Sequence, residues 1–313
     1  MTRASQAGPT SHRPADVAAW LRSSPSLPSL RQAFPEDWEL VQRKVSALVA
    51  DGDHKRLKSY LQELSRPAPR MPDHSKSQRV RVQDAVQRHM LLEAVKQAAT
   101  AHESGVSQGK LRLGKVNGTV LQRLLFEEGL RRRAVSYPLF RLAWPMLSQR
   151  QRLMPLVRDR GLYCFYSAPL LDAIARLVHG RAAVEIAAGD GALTRLLKRR
   201  FVDITATDDY SWDSTVAFDP LVQRQEATAA LRARKPEVVI CSWPPPQNSF
   251  EAKVFTTASV QTYIVLTARA ESEAGNWSAY RKQSAFTWGE DRKLSKLVLP
   301  PGSGQVLVFQ RAT

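Results

Sequence analysis

Cysteine is nearly missing from this chain. Cys164 and Cys241 are the only two, far apart and without companions at metal-ligand spacing, so neither a disulfide framework nor a zinc site is indicated and no metal is expected. No apolar run approaches the roughly 20 residues that span a bilayer. The start, Met1 to Ser29, lacks the apolar core of a secretory signal. The chain is therefore expected to be cytoplasmic, without a membrane span, in a reducing compartment. No segment recurs at a fixed period, which argues against a solenoid. Acids are scarce beside bases: 29 Asp and Glu stand against 46 Lys and Arg, a formal net charge of +17. Such an excess attracts anions, and nucleic acid, acidic lipid surfaces and acidic proteins are all compatible with it.

What is present is ordinary globular material, with 43% hydrophobic and 24% charged residues, enough to fold most of the chain. The first residues are rich in Ser, Pro and Arg and read as a disordered tail. Pro35-Glu36-Asp37 then starts a helix with Trp38, Val41, Val45 and Leu48 on one face, ending at Asp51-Gly52-Asp53. A second amphipathic pattern, Leu57 to Leu64, runs into the proline-containing stretch from Arg66 to Pro72, and the two suggest a helical hairpin. Val82 to Ala98 keeps helical spacing and breaks at Ser104 to Gly109. From Lys110 to Leu130 the pattern fits a hairpin around Asn117-Gly118 or a helix from about Thr119. With Arg131-Arg132-Arg133 behind it, a helix-turn-helix offering Gln122 and Arg123 to a groove stands beside the plainer reading of a solvated basic face.

From Leu162 onward the texture changes to short β-branched runs alternating with helical patterns: Ala183–Ala187, Ile204–Ala206, Val238–Cys241, Tyr263–Leu266 and Val306–Phe309. That alternation implies an α/β fold, a doubly wound and mostly parallel sheet with helices on both faces. The expected division is a basic tail over 1–34, a mainly helical accessory domain over 35–155 and an α/β domain over 156–313.

The chemistry concentrates where Val184-Glu185-Ile186 runs into Ala187-Ala188-Gly189-Asp190-Gly191 and then into a helix. Gly189 and Gly191 let the chain turn sharply and let a ligand lie against bare backbone, and the amides entering the helix face that ligand. A second strand ends at Asp208-Asp209, the first acid seventeen positions beyond Gly191. A carboxylate there can accept hydrogen bonds from both hydroxyls of a ribose. Together the two features point to a nucleoside-bearing ligand.

These residues resemble the class I, Rossmann-like S-adenosylmethionine-dependent methyltransferases, without pointing to a subfamily. The first motif of that family is an acid followed by three alternating glycines; Glu185, Gly189 and Gly191 fit it, and Ala187 takes the first glycine place. The resemblance implies a seven-stranded methyltransferase sheet closed by an antiparallel hairpin, and S-adenosylmethionine as cofactor. It implies that Glu185 orients the methionine end, that Ala187, Gly189, Asp190 and Gly191 face the cofactor, and that Asp208 holds the ribose. Glu226, in an acid-small dipeptide after the third strand, would flank the adenine or be a surface acid. Tyr163 and Tyr166, just before the first strand, would lie near the sulfonium or belong to the core.

The fourth strand runs into Ser242-Trp243-Pro244-Pro245-Pro246. Proline cannot continue a sheet ladder, so the segment leaves the sheet at the ligand-binding edge. It resembles the Asn/Asp-Pro-Pro-aromatic motif of amino-group methyltransferases, with Trp243 in the polar place and Pro246 in the aromatic one. Ser242 could offer a hydrogen bond to the acceptor and Trp243 a stacking face, or Trp243 could cap the core. A base, if one is used, would be Asp209 or Glu251. The resulting expectation is methyl transfer to an unidentified acceptor near Ser242–Pro246. Two alternatives stand beside it: a basic nucleic-acid-associated protein with a non-catalytic domain of this kind, or another nucleotide-binding α/β enzyme. The last is disfavoured because Thr194 stands where a dinucleotide fingerprint wants glycine or alanine.

Overall fold

The β-branched runs of the second half become strands because they are apolar on both sides, as strands sandwiched between helices must be. The computed structural model describes residues 9, 11, 13–25, 27–50, 54–65, 77–103, 117–148, 150–212 and 216–312. The chain divides into two compact units, 1–107 and 108–313. Residues 108–155 thus go with the α/β unit and not with the helical one expected over 35–155.

The first unit comprises α1 (Pro14–Arg22), α2 (Leu27–Ala33), α3 (Pro35–Ala50), α4 (His54–Ser65) and α5 (Gln78–Glu103). Two of these lie where a disordered tail was expected. Pro14 starts α1 at a position where its missing N–H costs nothing, and Val17, Trp20, Leu21, Leu27 and Leu30 bury their side chains with Val86, Met90 and Val95 of α5. The Ser and Pro residues around these short segments obscured their periodicity. The expected hairpin of the third and fourth helices is not the organising contact: α3 and α4 each pack against α5. Asp37 of α3 accepts hydrogen bonds from Gln83 and Gln87 of α5 at 3.0 and 2.7 Å. The predicted breaks at 51–53, 66–72 and 104–109 lie outside the described residues.

The second unit opens with α6 (Asn117–Leu125), α7 (Tyr137–Ala143) continued by a 3-10 turn at Trp144–Met146, and α8 (Leu153–Arg158). Then follow β1 (Phe165–Tyr166), α9 (Ala168–Val178), β2 (Ala183–Glu185), α10 (Ala192–Lys198), β3 (Ile204–Asp208), β4 (Val222–Arg224), α11 (Ala227–Arg234), β5 (Val238–Ser242) and α12 (Phe250–Thr256). The unit closes with β6 (Thr262–Ala268), α13 (Trp277–Lys282), β7 (Phe286–Glu290), α14 (Arg292–Ser295), β8 (Val298–Leu299) and β9 (Gly304–Arg311). Ser167 caps α9, as expected, accepting from the Leu170 N–H at 3.3 Å.

Seven strands form one sheet in the order β4-β3-β2-β5-β6-β9-β7. The first five are mutually parallel, and β9 runs antiparallel to both its neighbours. This is the doubly wound, mostly parallel seven-stranded sheet that the sequence implied. Alternate residues feed opposite cores. Val238 and Ile240 of β5, with Ile264 and Leu266 of β6, pack with α9 and α10. Val239, Cys241, Tyr263 and Val265 pack with α11, α12 and α13 on the other face. Cys241 is therefore a buried thiol. The last two sheet strands are antiparallel as expected, but no tight hairpin joins them: α14 and β8 intervene, and β8 pairs with β1.

The strand order reverses between β2 and β5. At such a point the loops leaving the carboxyl ends diverge and leave a crevice. The glycine turn follows β2, Asp208 ends β3, and Ser242 ends β5.

Candidate active site

The turn after β2 places Ala187, Gly189 and Gly191 at φ of 49°, 56° and 67°. Left-handed backbone is comfortable for glycine and strained for Ala187. The two glycines serve different ends. A Cβ on Gly191 would stand 2.5 Å from Val222 Cγ2, so its bareness lets the turn close on β4, whereas a Cβ on Gly189 would meet no atom within 4 Å. Gly189 borders a cavity and Gly191 does not.

Asp208 joins this turn from the next strand. Its Oδ2 accepts the Gly189 N–H at 2.9 Å and its Oδ1 the Tyr210 N–H at 2.9 Å. Burial pushes its pKa above the ordinary aspartate value, against those two hydrogen bonds. Asp208, Ala187, Gly189 and Asp190 border one cavity together with Tyr163, Tyr166, Asp209, Glu226, Ser242 and Trp243. Ten of the thirteen residues singled out in the sequence are thus brought together.

Glu185, Gly191 and Glu251 are the three that are not. The Glu185 carboxylate is buried under the turn, where Oε2 accepts the Thr194 N–H at 2.9 Å and the Thr194 hydroxyl at 2.6 Å. It fastens β2 to α10, and burial pushes its pKa up to about 7. Thr194, which looked ill suited to a dinucleotide motif, is the partner of that acid.

Asp190 is held by Arg132, which the sequence did not single out as a site residue. The guanidinium reaches Asp190 at 2.5 and 3.1 Å, donates to the Cys164 carbonyl at 2.8 Å and lies 4.8 Å from the Tyr166 ring centre. Burial alone would lower its pKa; the Asp190 carboxylate outweighs that and holds it above the ordinary arginine value. The neighbouring arginines are occupied too. Arg131 pairs with Asp219 at 3.0 Å, and Arg133 donates to the Arg123 carbonyl at 2.9 Å. Gln122 bonds the Gly129 carbonyl. Of the run that suggested a groove-reading helix, Arg132 alone turns inward, while Arg123, Arg131 and Arg133 stay exposed; α6 and the turn after it dock on α10 through Glu127 with Arg195 and Arg199. The helix expected to precede α6 falls outside the described residues.

On the other side of β2, Ser242 ends β5 with its hydroxyl 2.8 Å from the Tyr166 hydroxyl and 4.0 Å from Cys164 Sγ. Burial pushes both the Tyr166 phenol and the Cys164 thiol up. Trp243 has φ of 62° and is 8% exposed. Its ring lies 6.2 Å from that of Tyr163 with the planes 8° apart, and it fills the space that Gly304 of β9 leaves open. Trp243 is therefore at once a core residue and a cavity wall.

The acceptor-side loop is held from behind. Pro244 O accepts the Gly275 N–H at 2.9 Å, and Pro245 O accepts from Asn248 Nδ2 at 2.8 Å. Asn248 in turn donates to Glu251 at 2.6 Å, and Glu251 also accepts from Tyr263, Tyr280 and the Asn276 N–H at 2.6, 2.5 and 2.7 Å. Glu251 is fully buried. Considered as a base from sequence, it is instead the bracket behind this loop. Asp209 borders the cavity but accepts the Ser211 N–H at 2.8 Å, and its strand lies two places from β5, about 10 Å away at ordinary strand spacing. Glu226 borders the cavity and caps α11 through the Ala229 N–H at 3.1 Å. Burial raises its pKa, but hydrogen bonds from Thr228 and Ala229 outweigh that and leave it below the ordinary value. Gly161, Trp212, Val216, Phe218 and Glu273 also line the cavity; their scatter along the chain gave no local signal.

No family model and no curated protein matches this chain. Solved structures that are similar include magnesium protoporphyrin IX methyltransferase from Synechocystis PCC 6803 with bound SAM, at 12% identity over 46% of this chain and 79% of that one, TM-score 0.31. CurJ carbon methyltransferase is 11% identical over 71% of each chain, TM-score 0.34. The Pyrococcus abyssi tRNA (uracil-54, C5)-methyltransferase in complex with S-adenosyl-L-homocysteine is 12% identical over 46% of this chain, TM-score 0.32, and the match spans only 37% of its length. Nothing about substrate passes from such distant neighbours to this chain. The strand order, with β9 antiparallel between β6 and β7 and the glycine turn after the central β2, makes this a class I methyltransferase fold.

Proposed function

We propose that the 108–313 unit binds S-adenosylmethionine in this cavity and transfers its methyl group to an acceptor held at Ser242–Pro246. The observation that carries the reading is the Gly189–Asp208 hydrogen bond on the wall of one cavity. It unites a clear backbone approach with a carboxylate that has lone pairs left for ribose hydroxyls. The remaining lining suits the same compound. Val216, Phe218 and Ala227 offer apolar surface to a planar base, and Tyr163 and Trp243 offer aromatic surface to a cation.

When bound, the cofactor supplies an electrophilic methyl group. The residues of the chain contribute placement. Asp208 and Gly189 would hold the nucleoside end, and Arg132 keeps Asp190 turned to the wall. Ser242, oriented by Tyr166, would hold the acceptor through its hydroxyl, and the bracketed proline loop keeps water from the reacting face. Calorimetry of the full chain with S-adenosylmethionine and S-adenosylhomocysteine tests the cofactor. Binding that weakens on Asp208→Ala is the expected result; absent binding, or binding indifferent to that change, rejects the reading. Incubation with labelled methyl donor and fractionated extract then identifies the acceptor class.

A further inference from the structure

α7 and the 3-10 turn that continues it turn apolar side chains toward solvent. Leu139, Leu142 and Met146 are 59%, 70% and 78% exposed. Their spacing of three and four puts them on one helical face, and Pro145 beside them is exposed as well. The opposite face is anchored, since Phe140 is buried and its ring stacks on Trp144 with centres 4.9 Å apart. A single exposed leucine is commonplace; three long aliphatic side chains standing together on one short element mark an interaction surface.

The segment that carries this ridge has charge of one sign. From Gly129 to Arg158 the chain contains no Asp or Glu. Arg141 and Arg152 are exposed, and Arg150 donates to the carbonyls of Trp144 and Pro145 at 3.1 and 2.9 Å, which sets its guanidinium beside the ridge. We propose that this face docks on an anionic lipid surface, with Leu139, Leu142 and Met146 entering the boundary of the acyl chains and Arg141, Arg150 and Arg152 meeting the phosphates. Nucleic acid could bury such side chains only by unstacking its bases, at a free-energy cost for each step unstacked. A fluid bilayer receives such a ridge without matching its shape. Among the described residues no helix is long and apolar enough to cross a membrane, so the attachment is to the surface. It is independent of methyl transfer.

The test is flotation of the full chain with phosphatidylcholine vesicles, with and without phosphatidylglycerol. The expected result is flotation with the anionic vesicles alone, weakened by salt. It should fall at least about ten-fold in the Leu142→Ser, Met146→Ser double variant, whose melting curve stays unchanged because both side chains are exposed. Absence of flotation, or flotation undiminished in the double variant, overturns the proposal. So does self-association of the wild-type chain that this variant abolishes in the absence of flotation, which would assign the ridge to a second copy.

Discussion

The amide of Gly189 points at the carboxylate of Asp208 across 2.9 Å, and through that bond two neighbouring parallel strands share one ligand wall. The two glycines of the turn should therefore respond differently to the same change. Gly191→Ala combines left-handed backbone with a methyl 2.5 Å from Val222 and should cost about 2 to 4 kcal/mol of stability. Gly189→Ala meets no neighbour and should cost about 1 to 2 kcal/mol, while weakening S-adenosylhomocysteine binding. Denaturant unfolding together with calorimetry on both variants separates the outcomes, and equal effects on binding would refute the distinction.

Arg132 is the buried half of its ion pair with Asp190, the arginine side chain 6% and the aspartate 14% exposed. Arg132→Met leaves Asp190 without its counter-charge and should destabilise the unit by about 3 to 5 kcal/mol. Adding Asp190→Asn should restore part of that loss, read as a coupling between the two changes in a double-mutant cycle.

Glu185 gives a pH signature. Burial raises its folded-state pKa from 4.5 to about 7, so the native chain binds the proton more tightly than the unfolded one. Its contribution is fully present below about 4.5 and is lost as pH rises through about 7. Within that window the stability of wild type relative to Glu185→Gln should fall by about 1 kcal/mol per pH unit. Urea melts across the range check it, and a flat difference would show that the carboxylate titrates normally.

Tyr166→Phe removes the hydroxyl 2.8 Å from Ser242. The loss should lower stability by only about 1 kcal/mol and leave cofactor affinity intact, while methyl transfer to an acceptor found in labelling falls about ten-fold. A matched fall in cofactor affinity would place Tyr166 on the other side of the site.

What could be read in the sequence was local. Strand, glycine turn and helix lie within one short stretch, and the acid ending β3 follows soon after, so the meeting of Gly189, Asp190 and Asp208 at one cavity could be anticipated. So could the place of Ser242, because three prolines interrupt the ladder behind it. What was hidden depends on contacts between distant segments. Arg132 comes from 58 residues before Asp190, out of a run whose composition suggested an outward basic face. Glu185 was expected at the methionine end of the cofactor and Glu251 as a base, and the sequence does not show the burial and the partners that hold each in place. The helices α1 and α2 are short enough that their Ser and Pro neighbours outweighed their apolar spacing.

The inward turn of Arg132 also says where the chain can be cut. A fragment begun at residue 156, the domain boundary expected from the sequence, would lack the cation that Asp190 faces. It would also lack Phe126, whose ring meets that of Phe165 edge-on at 5.3 Å, and Val135, which bridges to Ser167. Anyone isolating the smaller piece for crystallisation or labelling should keep everything from α6 onward.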